Sequence, residues 1–212
     1  MPGIDVAHRP DLVEVTLPEH LSRTVLAELA EFGRTLTPLD RTVVLRLGAP
    51  GHWSGPAGDD LAAAWTQATQ WTASPSHTVI ALLPGAVLRG MAANLASCAD
   101  LRLADPDAAL TLGDPGLDGR LWPIDSRELL ERAGAAAHLQ ILDADRLAAL
   151  GYVHHVGPEP AAVARATAAA HTPARVENKA LTRRLAAPGR EARLAETEAA
   201  GALDLRPADE SG

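Results

Sequence analysis

The chain is 212 residues long, 47% hydrophobic and 22% charged, which suits one folded domain, or a domain plus a helical appendage, of ordinary globular rather than disordered composition. Its net charge of −8, with no basic block beyond Arg183-Arg184, argues against a nucleic-acid partner, since phosphate binding needs a concentrated positive face. No apolar run approaches the ~20 residues needed to span a bilayer, and the single cysteine, Cys98, excludes an internal disulfide and fits a reducing compartment. Residues 1–10 carry Asp5, His8 and Arg9 and no apolar run, so no secretion signal and a cytoplasmic location are expected. No Cys/His cluster has zinc spacing, and adjacent His154 and His155 in a strand would face opposite ways, so no metal is expected.

The first predicted element is a strand, Leu12-Val13-Glu14-Val15-Thr16-Leu17, which alternates with period two. Pro18 is then read as the opening residue of a helix whose apolar stripe is Leu21, Val25, Leu29, Phe32 and Leu36. Residues 40–47 read as a second strand, 48–58 as a glycine- and proline-rich loop, and 59–71 as a helix. The unit then repeats: a buried strand over 78–83 stopped by Pro84-Gly85, a small-residue helix over 90–98, and strands over 101–104 and 108–112. Helices are predicted near 125–133 and 144–150, a last short strand over 151–156, and helix thereafter until a polar tail. Strands alternating with helices predict an α/β or mixed layered fold. No low-complexity linker divides the chain, so residues 1–157 are expected as a core domain, 158–205 as a C-terminal helical region and 206–212 as a polar tail.

Three segments carry a family resemblance. The first is Trp53-Ser54-Gly55-Pro56-Ala57-Gly58-Asp59-Asp60-Leu61. The second runs from Val79-Ile80-Ala81-Leu82-Leu83-Pro84-Gly85 to Asp100-Leu101-Arg102-Leu103-Ala104. The third, looser, is Leu129-Leu130-Glu131-Arg132-Ala133-Gly134 followed by Ala148-Ala149-Leu150-Gly151-Tyr152-Val153. In this order they resemble the crotonase (enoyl-CoA hydratase/isomerase) superfamily, over about residues 12–180. The resemblance implies a ClpP/crotonase-like α/β fold of repeated β-β-α units. It also implies an acyl-CoA substrate, with coenzyme A entering only as part of that substrate, and a trimer or hexamer of chains.

In that family two backbone N–H groups hold the thioester carbonyl, where negative charge gathers as an enolate forms. Carried over, the donors are Ala57 and Gly90, with Gly55 a rival for Ala57 because Gly55-Pro56 is inserted relative to the family loop. Gly90 also opens a predicted helix, whose free N–H groups and dipole favour an anion; the plain alternative is a tight strand-to-helix turn. Trp53, Gly58, Met91, Asp114 and Trp122 are the residues expected to line the substrate.

The departures from the family are as informative. A hydratase of this family uses two glutamates to activate and deliver water. Here the first position falls on Ala93 or Asn94, depending on whether Gly85 or Asp100 anchors the register, and the second falls on Gly116. Neither is acidic. Asp114, Asp118 and Asp125 follow in the loop region that would line the acyl pocket; Asp125 is the candidate repositioned acid, and a helix cap or turn is the alternative for each. Asp100 reads as structural, Cys98 as a small core residue and Lys179 as a solvated helix position. Two function classes remain: an acyl-CoA hydratase, dehydratase or isomerase with a moved acid, or an accessory protein or plain thioester binder. The short length and missing glutamates resemble the crotonase-like proteins that accompany polyketide synthases, for example in dihydroxyphenylacetyl-CoA biosynthesis.

Overall fold

The computed structural model describes residues 3–37, 42–49, 51–53, 59–111 and 141–169. Its largest sheet runs in the order β1 (Asp5–His8), β2 (Val13–Thr16), β4 (Thr42–Arg46), β6 (Thr78–Leu83), β8 (Leu101–Ala104), β11 (His155–Val156). β1 is antiparallel to β2 and every other pairing in this sheet is parallel. A second sheet joins β7 (Val87–Arg89), β9 (Ala109–Thr111) and β10 (Leu142–Asp143). β3 (His20–Leu21) pairs in parallel with β5 (His52–Trp53) as a two-stranded ribbon. The helices are α1 (Arg23–Thr35), α2 (Asp59–Thr69) with a following 3-10 turn (Gln70–Ala73), α3 (Gly90–Ser97), α4 (Ala144–Ala149) and α5 (Pro160–Ala169).

β6 explains the layering. All six of its residues, Thr-Val-Ile-Ala-Leu-Leu, are buried, as expected for a parallel strand covered on both faces. Val79, Ala81 and Leu83 join the main core beneath α1, α2 and α3, while Ile80 and Leu82 join a second core closed by Ala164 and Ala168 of α5. The period-two alternation of β4 does the same, with Val43 and Leu45 on one side and Val44 on the other. At the edge of the second face Glu14 receives both Arg9, at 3.3 Å, and Arg46. Burial, then repulsion from Arg165 and Arg9, pushes the Arg46 pKa below its ordinary value.

The predicted alternation of strands and helices is present, with local differences. The first long helix begins at Arg23 rather than Pro18: the Ser22 hydroxyl accepts the Val25 N–H at 3.4 Å, and His20–Leu21 are held in the β3–β5 ribbon. A side-chain cap and a strand partner outweigh the tolerance of proline for a first turn. The loop predicted over 48–58 contains β5, and β1 and β7 are strands with no counterpart in the sequence reading. The last strand is only His155–Val156. The helix predicted near 125–133 and the region from 170 onward lie outside the described residues.

Candidate functional site

Two chain segments converge on the N-terminal turn of α3. The first leaves β4 and turns through Gly51 into β5. Gly51 has φ +72°, and a Cβ there would lie 2.0 Å from the Cβ of Ala92, so only glycine lets β5 press against the first turn of α3. Gly51 N–H also donates to the Glu19 carbonyl at 3.1 Å, fixing the turn to the segment before β3. β5 then delivers Trp53 to the segment 54–58, which lies outside the described residues together with Gly55, Ala57 and Gly58.

The second segment leaves β6, turns at Pro84-Gly85 and runs through β7 into α3. Gly90 is the first helical residue, is buried, and has φ +50°, a conformation that side-chain-bearing residues seldom adopt. Arg89 stands at the N-cap in extended conformation, and its side chain caps nothing. The first turn carries no acidic residue. By contrast α1 is capped by Ser22, and α4 by Asp143, whose Oδ1 accepts the Arg146 N–H at 2.8 Å. The first-turn N–H groups of a helix have no intrahelical acceptor, and here no side chain of the cap supplies one. Together with the helix dipole this makes the turn suited to a partial negative charge.

All eight residues of α3 are buried, and its small residues let the helix sit close to its neighbours. Met91 is fully buried in the main core, so its side chain builds the core and its backbone N–H is what it can offer a ligand. Trp53 packs half-buried against the same core. Its indole Nε1 is sealed from solvent and has no hydrogen-bond partner among the described residues. Ala93 and Asn94 are both buried one turn along from Gly90, and Asn94, at i+4, shares its helix face. A carboxamide cannot exchange a proton as a glutamate can, so this face of α3 carries no general acid or base.

A buried polar network missed in the sequence holds the other end of α3. The Tyr152 hydroxyl lies 2.7 Å from Ser97 Oγ and 3.4 Å from the Ala93 carbonyl, and the Arg102 guanidinium lies 4.5 Å above the Tyr152 ring. Arg102 also donates to the Tyr152 and Ala99 carbonyls at 2.6 and 2.9 Å. The available signal was that Tyr152 is the chain's only tyrosine. Asp100 ties the end of α3 to β6: its Oδ2 accepts the Val79 N–H at 2.7 Å, and its own N–H donates to the Val79 carbonyl at 2.9 Å. Cys98 is half-buried, with Sγ 3.5 Å from the Asn94 carbonyl. His154 Nδ1 accepts the Arg102 N–H at 3.1 Å.

Asp114, Asp118, Trp122, Asp125 and Lys179 lie outside the described residues. Among the described residues no group of three His, Cys, Asp or Glu side chains could hold a metal ion, and no helix is long and apolar enough to cross a membrane. An open cleft of about 490 Å³ between α1, α2 and the 3-10 turn, lined by residues including Arg34, Gln67, Trp71 and His77, shares no residue with the α3 turn. The α3 turn, where two chain segments converge on a helix N-terminus, is the candidate site; the cleft holds neither feature.

No protein-family model matches the chain. No curated protein matches it in sequence. Solved structures do match in fold. A candidate enoyl-CoA hydratase from Thermobifida fusca YX, solved with CoA, superposes with a TM-score of 0.72 at 23% identity, covering 95% of this chain and 91% of that one. The T. fusca protein has also been solved with acetoacetyl-CoA. An enoyl-CoA hydratase of Mycobacterium smegmatis gives 0.74 at 23% identity, covering 97% and 93%. An enoyl-CoA hydratase/isomerase of Pseudoalteromonas atlantica T6c gives 0.74 at 15% identity, covering 97% and 92%. The chain has the crotonase fold of these proteins, as the three sequence segments implied.

Proposed function

We propose that the chain binds an acyl-CoA thioester at the α3 turn and stabilises the enolate form of its acyl group. The observation that carries this reading is the uncapped, glycine-started N-terminus of α3 with β5 pressed against it, in a chain of crotonase fold. The donors are the N–H groups of Gly90 and of Ala57, with Gly55 the rival for the latter. Trp53, Gly58, Met91, Asp114 and Trp122 line the thioester, and coenzyme A enters only as part of the substrate.

When a proton leaves the α carbon, charge collects on the carbonyl oxygen, and fixed donors in a dry site stabilise it. Loss of one such donor typically costs about 3–4 kcal/mol. With alanine and asparagine at the two positions read for the first glutamate, proton transfer falls to a group elsewhere, and Asp125 is the proposed acid. The reaction is then a hydration, dehydration or double-bond migration of an enoyl- or acyl-CoA. The same reading carries a trimer or hexamer of chains in the cytoplasm.

The test is mass spectrometry of a panel of enoyl-, acyl- and aryl-CoA esters incubated with the protein in heavy water. Protein-dependent deuterium in the product is expected, and Asp125→Asn should suppress it; unchanged turnover in that variant removes Asp125 from the mechanism. The non-acidic residues at Ala93 and Asn94 favour one second reading, a thioester-handling partner of a polyketide synthase. No incorporation across the panel, with thioester binding intact, would select a non-catalytic role, either this one or plain thioester binding.

A further inference from the structure

We infer that the indole N–H of Trp53 donates a hydrogen bond to an oxygen of the bound thioester. The inference deepens the acyl-CoA reading and rests on it. Trp53 Nε1 is one of two buried side-chain polar atoms without a partner among the described residues. The other, Thr42 Oγ1, belongs to the first residue of β4, at the opposite end of that strand from the turn into β5. Buried indole N–H groups ordinarily find an acceptor, because leaving a donor dry and unpaired is costly.

This chain meets the rule elsewhere: Trp71 Nε1 donates to the Ala68 carbonyl at 2.7 Å. A phenylalanine at position 53 would supply apolar contact without an orphaned donor. The orphan also sits where a ligand is expected. Trp53 ends the strand that presses on the first turn of α3 and directly precedes the segment 54–58. It packs against the core that contains Met91, Ala92 and Ala93 of α3.

Two oxygens can satisfy it. One is the thioester carbonyl, for which Trp53 would be a further donor beside the backbone groups. The other is an oxygen farther along the acyl chain, as in a 3-oxo or 3-hydroxy acyl group, in which case Trp53 selects oxygenated over plain acyl chains.

The experiment uses the full chain labelled with ¹⁵N-tryptophan, whose four indole signals are assigned through the backbone and checked with Trp53→Phe. CoA, butyryl-CoA and acetoacetyl-CoA are titrated in turn. A downfield move of the Trp53 indole proton is expected with a thioester and not with CoA. Trp53→Phe should weaken the responsible ligand about tenfold. A response to acetoacetyl-CoA alone assigns the acyl oxygen; an equal response to both thioesters assigns the carbonyl. Thioester binding, seen at other signals, with the Trp53 proton unmoved overturns this inference and leaves the acyl-CoA reading standing. Failure of every thioester to bind overturns both. Should Trp53→Phe not fold, the unsubstituted protein's signal still decides.

Discussion

Trp71 and Trp53 sit in two regions that solve the burial of an indole differently. Around Trp71 every demand is met locally: the ring meets Phe32 edge-on at 5.4 Å, its N–H reaches Ala68, and the neighbouring α1 is capped by Ser22. Around Trp53 two polar features are left open among the described residues. Its N–H has no acceptor among the described residues, and the nearby α3 begins on a positive-φ glycine without a side-chain cap. The first pattern is that of a region built for stability. The second carries unmet hydrogen-bonding capacity, which costs stability unless something else supplies the acceptors.

That contrast can be broken by substitution. Trp71→Ala should have the largest effect, about 3–5 kcal/mol of unfolding free energy by denaturant titration, with thioester affinity per folded molecule unchanged. Gly90→Val should act chiefly on activity. It forces a β-branched residue to φ +50° at the proposed donor, and deuterium exchange into the acyl group should fall about 100- to 1000-fold while circular dichroism reports the fold retained. Equal losses of stability and activity in both variants would erase the distinction. Tyr152→Phe removes the hydroxyl that meets Ser97 and should cost about 1–2 kcal/mol of stability, with a smaller loss of exchange activity than Gly90→Val. Ser22→Ala is the mildest, about 1 kcal/mol of stability and no change in thioester binding, read by thermal melting and titration.

Much of this was legible in the chain itself. β6 announced its position because a strand covered on both faces must be apolar throughout, and Thr-Val-Ile-Ala-Leu-Leu is nearly so. Gly90 at the head of α3 was legible because a glycine between a strand and a small-residue helix marks a backbone turn. Pro18 misled, since a proline permits a helix start without requiring one, and the pairing of His20–Leu21 with His52–Trp53 is a long-range fact that no local pattern carries. The two- and three-residue strands β5 and β7 were missed for the same reason: they are too short for periodicity and exist through their partners. The orphaned Trp53 nitrogen was invisible in the sequence, because a missing acceptor belongs to the surroundings and not to the residue.

The burial of β6 on both faces and of every residue in α3 has a consequence in time as well as in energy. Amides so placed exchange with solvent only through large-scale opening, whereas loop amides exchange through small fluctuations. Native-state hydrogen exchange should therefore find its slowest amides in β6 and in the later turns of α3. Gly90 is anchored at one end of that slow block, so its orientation should persist through the small fluctuations that open loop amides.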